Sequence, residues 1–404
     1  MKQAFLKAGH LPTLFACFLY FDLSFMVWVL LGPLAVLISK DLHLDAAQKG
    51  LMVAVPILAG AVLRILNGVL ADYLKPKLTG IIMQVVVVGG LLAAWAIGLS
   101  SFHEILLFGV LLGVAGASFA IALPMASYWY PPEHQGLALG VAGAGNSGTV
   151  LAALFAPALA VAYGWRNVLG LTAIPMTIVL VVFLLLAKNS PNCPPRKALK
   201  DYMRVLAEGD AWWLMGFYSV TFGGFVGLSS FLPIYFHDQF KLSPVAAGYF
   251  TALCVFLGSL ARPFGGALAD RVGGVRSLSL VYASVAAIVF LASRVDAAAP
   301  LALGLFAIAM IALGMGNGAV FQLVPQRFRH EVGVMTGLVG MTGGVGGFYL
   351  AASLGYAKQI TGNYAVGFLI FACLSLLAFV GVTSVRGRWR RTWAERAGLA
   401  ALRV

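Results

Sequence analysis

From Leu14 to Val385 the chain is one apolar stretch after another, each about 20 residues, the length a helix needs to cross a bilayer. The ten-residue alternation of a membrane barrel is missing, so the chain reads as an all-α polytopic membrane protein. Hydrophobic residues make up 61% of the 404 and charged residues only 10%, against about 25% charged in soluble domains. The pattern predicts twelve spans, near 12–38, 49–72, 78–98, 103–127, 135–163, 166–187, 211–236, 244–269, 275–294, 300–325, 332–358 and 364–385. Lys2 and Lys7 precede an apolar stretch too long for a signal peptide and without a small-residue cleavage site, which makes it the first span. The four cysteines have no metal or redox spacing.

A formal charge of +13 suggests a nucleic-acid partner until it is mapped onto the loops. Nineteen of the 27 Lys and Arg then fall on the side of both termini and the central loop, and six on the other. By the positive-inside rule the first side is cytoplasmic. The basic excess is topology, with some attraction to anionic lipid, and no nucleic acid is expected. Two cations are left over, and both lie inside spans: Arg64 and Arg262.

These two arginines belong to a repeat. "RILNGVLAD" and "RPFGGALAD" share the frame Arg, three residues, Gly, one residue, Leu, one residue, Asp, 198 residues apart. It sets Gly68 and Asp72 against Gly266 and Asp270, with Arg271 following. Gly136, Gly140 and Gly143 recur as Gly333, Gly337 and Gly340, and "ASFAIALP" resembles "AVFQLVP". The polar linker 188–210 separates a six-span half (1–187) from a second (211–385), and a basic tail, 386–404, follows as an expected lipid-facing anchor. Two parallel halves of six spans are the plan of a major-facilitator carrier, with its site between the halves near the midplane.

Arg64 lies eight residues before Asp72, about 12 Å from the helix end, farther than a side chain comfortably snorkels. A guanidinium at that depth costs about 2.5–3.5 kcal/mol or more on insertion scales and therefore faces a polar cavity and a partner. Of the fourteen acids, only Asp22 sits well inside a span. Two arginines with one buried acid leave room for structural pairing, but they favour a cargo that supplies the missing negative charge. Two planar forks from related helices suit a small planar monoanion such as nitrate, nitrite, formate or another small carboxylate.

The fifth and eleventh spans are glycine-rich: Gly140, Gly143, Gly145 and Gly148 in one, Gly340, Gly343, Gly344, Gly346 and Gly347 in the other. Close helix packing explains such stripes, and so does a narrow pathway whose walls slide. Asn146, in "GAGNSG", is either an interhelical hydrogen bond or a donor to the anion. Tyr218 has a phenol that needs a partner inside the membrane.

The glycine-rich spans, the stretch "GSLARPFGGALADRVGG" and the first span "FDLSFMVWVLLGPL" together resemble the nitrate/nitrite porter family of the major facilitators, over essentially the whole chain. The resemblance implies that Arg64 and Arg262 clamp nitrate, with Tyr218, Phe222, Phe119 and Asn146 completing and enclosing the site. The first loop motif, "GVLADYLKPK", keeps Gly68, Leu70 and Asp72 but lacks the usual D-R-x-G, which leaves its gating contacts in the first half open.

Asp22 is the candidate for proton coupling, or else a protonated or paired helix contact, an arginine being one partner it could have; burial and a neighbouring cation push a carboxyl in opposite directions. With coupling the chain is a nitrate–proton symporter; without it, a nitrate/nitrite antiporter. An intramembrane acid favours symport. The six histidines lie at or near span ends. No membrane-depth nucleophile, triad or metal cluster argues for an enzyme, and the termini are too short for a sensor's output domain. The expectation is a multi-pass carrier of the cytoplasmic membrane, monomeric, without cofactor.

Overall fold

The structure is a computed structural model and describes residues 5–193, 199–294, 298–328 and 331–397. Part of the linker (194–198), the last tail residues (398–404), His330 and the loop cations Lys2 and Arg329 lie outside the described residues. Among the described residues, twelve helices are long and apolar enough to cross a membrane. We number them α1 (Leu11–Asp41), α2 (Ala46–Leu74), α3 (Pro76–Ile97), α4 (Phe102–Ser127), α5 (Leu137–Tyr163), α6 (Trp165–Leu186), α7 (Gly209–Phe240), α8 (Pro244–Val272), α9 (Gly274–Ala292), α10 (Ala299–Arg327), α11 (Val332–Thr361) and α12 (Ala365–Ala397). Their ends follow local chemistry. Asp45 and Gln48, and Ser101 and Glu104, form capping boxes that satisfy the first free N–H groups of α2 and α4. Gly273, at φ 100°, lets a single residue turn α8 into α9.

Three spans are broken inside the membrane. In α1 the break falls at Val29–Leu30, where Pro33 has no N–H for the Val29 carbonyl and the Gly32 N–H takes it instead. In α4 it falls at Ala117–Ser118, where bonds to the third residue back, such as Ser118 to Ala115, enter. In α5, Ala144–Ser147 tighten into a 3-10 turn within the "GAGNSG" stretch. Irregular backbone at this depth is tolerated only where protein or a cavity surrounds it.

The halves meet along α2 against α11, α5 against α8, and the outer part of α1 against α7. Glycines permit the closest approaches. A Cβ on Gly344 would stand 2.6 Å from that of Ala61, and one on Gly347 would stand 3.1 Å from Ile57 and collide with Val226. Gly346 lies on the Ser219 backbone, while Gly145 and Gly148 lie on α1 around Phe21 and Asp22. By contrast, Gly140, Gly143, Gly68 and Gly266 have room for a methyl group, so static packing does not require them.

The last helix departs from expectation. A lipid-facing anchor was expected beyond residue 385, but α12 continues to Ala397 and buries Trp389 and Trp393 against the start of α7. Asp210 is the reason. Its carboxylate accepts both indole N–H groups, at 2.8 and 3.1 Å, and pairs with Arg327 at 2.7 Å and Arg388 at 2.8 Å.

Candidate functional site

Arg64 projects from α2 toward the meeting of the halves and is 2% exposed. Its Nε donates to the Gly116 carbonyl at 3.2 Å, just before the break in α4. A helix segment that ends there leaves carbonyls without helical donors and a partial negative charge, a natural seat for a cation. One Nη donates to the Gly340 carbonyl of α11 at 2.5 Å, across the two halves. Three rings surround the guanidinium carbon, Trp28 at 5.2 Å, Phe119 at 5.1 Å and Phe222 at 5.3 Å. The other Nη has no partner.

Arg262, on α8, is half-buried, with its guanidinium carbon 5.6 Å from the ring of Phe321 and one Nη unpartnered. The two guanidinium groups are close enough for their charges to repel. Between them lies Tyr218 of α7, stacked on Phe222 with ring centroids 5.1 Å apart and edge-on to Phe321 at 5.0 Å. Its hydroxyl feels both arginines and reaches toward Arg262 without completing a hydrogen bond. Gly343 makes room for this pair, since a Cβ there would lie 2.6 Å from the Tyr218 ring and 2.9 Å from that of Phe222. The structure thus brings Arg64, Arg262, Tyr218, Phe119 and Phe222 together around Gly340 and Gly343.

Asn146 lies in the 3-10 turn of α5, which packs against α8; it is 3% exposed and its Oδ1 has no partner. Among the described residues Asp22 pairs with no arginine. It is 6% exposed and accepts from the Ser147 hydroxyl at 2.6 Å, with Gly148 packed against the Asp22 backbone. Asp72 is partly exposed at the end of α2, while Asp270 and Arg271 are exposed at the end of α8.

Sequence reasoning passed over Trp28, Phe321 and the Gly116 carbonyl. Phe321 had a usable signal, because "AVFQLVP" and "ASFAIALP" set it opposite Phe119; their rings stand 6.3 Å apart here, one from each half. The carbonyl had none, since it is freed by a helix break.

Two six-helix halves that enclose charged donors with unfilled hydrogen-bonding capacity have the plan of a membrane carrier. The Major Facilitator Superfamily model matches residues 16–351, and the chain belongs to that family of multi-pass membrane transporters. It is 32% identical to the "Nitrite extrusion protein" of Bacillus subtilis, over 88% of this chain and 90% of the relative. It is 31% identical to the "Probable nitrate/nitrite antiporter NarK1" of Thermus thermophilus, over 93% of this chain and 91% of the relative. Its fold is like that of a solved bacterial homolog to the human lysosomal transporter Spinster, in an inward-facing and occupied conformation, with a TM-score of 0.70 at 21% identity, covering 94% of this chain and 97% of that one.

Proposed function

We propose that this protein carries nitrate and nitrite across the cytoplasmic membrane by alternating access, the anion held between Arg64 and Arg262. One observation carries the reading. Two guanidinium groups at membrane depth each keep a buried N–H without a partner, the Tyr218 hydroxyl between them has none either, and the one deep acid, Asp22, is engaged elsewhere. Buried charges left unpaired are costly, and an anion that completes these bonds removes the cost. The aromatic faces around Arg64 suit a flat, weakly hydrated ion, which favours nitrate and nitrite over formate. The names borne by the relatives from Bacillus subtilis and Thermus thermophilus support the same substrate.

A monoanion leaves the paired arginines with a net positive charge, so the site attracts the next anion after release. The termini-bearing side is the cytoplasmic one by the loop charges. On the opposite side, Lys49 of α2 pairs with Asp238 of α7 at 3.0 Å, the Tyr364 hydroxyl donates to Asp238 at 2.9 Å, and the Ala46 N–H donates to Gln359 of α11 at 3.1 Å. The Lys49–Asp238 and Ala46–Gln359 bonds link the two halves and hold the external side closed, while Tyr364 steadies Asp238 from within the second half. The ion pairs of Arg327 and Arg388 with Asp210 on the cytoplasmic side stay within the second half. Asp22 serves as the proton carrier of a nitrate–proton symport: the hydrogen bond it accepts from Ser147 couples α1 to the 3-10 turn of α5, and that turn packs on the helix of Arg262.

The test is nitrate uptake into proteoliposomes under an imposed pH gradient, with and without internal nitrite. Uptake driven by inward protons and weakened in Asp22→Asn supports symport. Uptake that requires internal nitrite and ignores pH makes the protein an antiporter and Asp22 a structural contact. No nitrate uptake in either case overturns the substrate.

A further inference from the structure

We infer that Trp28 is a positioning residue for the anion: it fixes the guanidinium of Arg64 in one orientation, making Arg64 the rigid member of the pair and Arg262 the mobile one. This rests on the reading above for what the arginine binds, but the seat itself is visible in the packing. Trp28 is the last helical residue before the break in α1 and is fully buried. Its indole N–H donates to the Pro56 carbonyl of α2 at 2.7 Å. Its ring fills a slot between two glycines on different helices. A Cβ on Gly60 would stand 2.6 Å from the indole nitrogen, and one on Gly116 would collide with the same ring. Phe25 closes the slot edge-on, at 4.9 Å and 67°.

The slot and the arginine share their parts. Gly116, whose missing side chain admits the indole, is the residue whose carbonyl takes the Arg64 Nε at 3.2 Å. The ring that fills the slot lies 5.2 Å from the Arg64 guanidinium carbon. Arg64 is therefore held by carbonyls on two sides and by a ring that is itself pinned at its polar end. Arg262 has the Phe321 ring at 5.6 Å and the Tyr218 hydroxyl near it, is held by no carbonyl among the described residues, and remains half-buried. Two copies of one sequence frame thus stand in unequal settings. An arginine that must grip a planar ion in one geometry gains affinity when its long side chain is ordered beforehand, because binding then orders less. A carrier also needs one arm free to follow the moving half.

The experiment compares Trp28→Phe, which keeps a ring but loses the N–H, with Trp28→Leu, which loses both. Phenylglyoxal labelling of Arg64, read by mass spectrometry with Arg262 as internal reference, reports the seat directly. Nitrate KM and maximal rate in proteoliposomes report its use. The expected result is faster labelling of Arg64 with Arg262 unchanged. Nitrate KM should rise about tenfold in Trp28→Leu, the scale of one side chain's lost ordering, and less in Trp28→Phe, with maximal rate nearly kept. Unchanged Arg64 labelling in folded variants overturns the proposal, and so does faster labelling with KM at the wild-type value. Should Trp28→Leu fail to fold, Trp28→Phe decides on both readouts. Should the wild type not carry nitrate, the substrate reading falls, while the labelling still decides whether Trp28 holds Arg64.

Discussion

A methyl group added at Gly343 tests whether the stacked pair of Tyr218 and Phe222 belongs to the site. The new Cβ would stand 2.6 and 2.8 Å from two carbons of the Tyr218 ring and 2.9 Å from the Phe222 ring, where ordinary contact begins near 3.4 Å. The rings must then move by the better part of an ångström, and the Tyr218 hydroxyl, at the far end of its ring, moves with them. Overpacking of this kind costs about 1–3 kcal/mol, partly offset by up to about 1 kcal/mol from replacing a mid-helix glycine with alanine. Net stability should therefore fall by no more than about 3 kcal/mol. The anion should lose a bond as well. A hydrogen bond to a charged group is worth about 1.5–3 kcal/mol, so misplacing the phenol should raise nitrate KM roughly tenfold to a hundredfold. The assay is nitrate uptake by proteoliposomes alongside thermal unfolding in detergent. Gly89→Ala on α3 is the control, because its Cβ would meet nothing within 4 Å; it should keep the wild-type KM and unfold no earlier than the wild type. Wild-type KM in a folded Gly343→Ala, or equal damage from Gly89→Ala, would refute the reasoning.

Other expectations concern the two ends of the molecule. Lys49→Met removes the external link to Asp238, a partly exposed pair worth about 0.2–1 kcal/mol, and should raise the externally open population a few-fold at most; spin-label distances between α2 and α7 on that side would read it. The Tyr364 phenol is pushed above its usual range, first by burial and then by the Asp238 carboxylate beside it. A raised pKa means that its bond stabilises the fold fully below the ordinary phenol value and is lost only as pH rises toward the higher one, so Asp238 should keep this partner within the second half through mildly alkaline titration. Asp210→Ala strips a shared acceptor from Arg327, Arg388, Trp389 and Trp393 and should cost about 3 kcal/mol of stability while leaving nitrate KM unchanged. A KM change there would tie the tail to transport.

The spans were legible because bilayer thickness sets a length and a composition that no other constraint disturbs; most observed ends lie within a few residues of those expected. The arginines were legible for the opposite reason, as charges where the solvent forbids them. What the sequence hid is mostly backbone. The seat of Arg64 is a carbonyl exposed by the break at Ala117–Ser118, and no residue type announces it. Trp28 reads as one more apolar residue until Gly60 and Gly116 are seen to be cut to its shape. The tail misled because "RGRWRRTWAERAG" is basic and aromatic, the composition of a membrane-surface anchor, whereas its two tryptophans are claimed by Asp210, 179 and 183 residues earlier.

The most direct test of the central claim is the affinity of purified protein for nitrate, wild type against Arg64→Lys and Arg262→Lys. Lysine keeps the charge but not the planar fork, nor the simultaneous reach to two carbonyls and an anion. The account predicts folded variants whose nitrate affinity falls at least about tenfold in each case, since each loses a charge-assisted bond to the ion. Wild-type affinity in either variant would contradict an anion held between the two arginines.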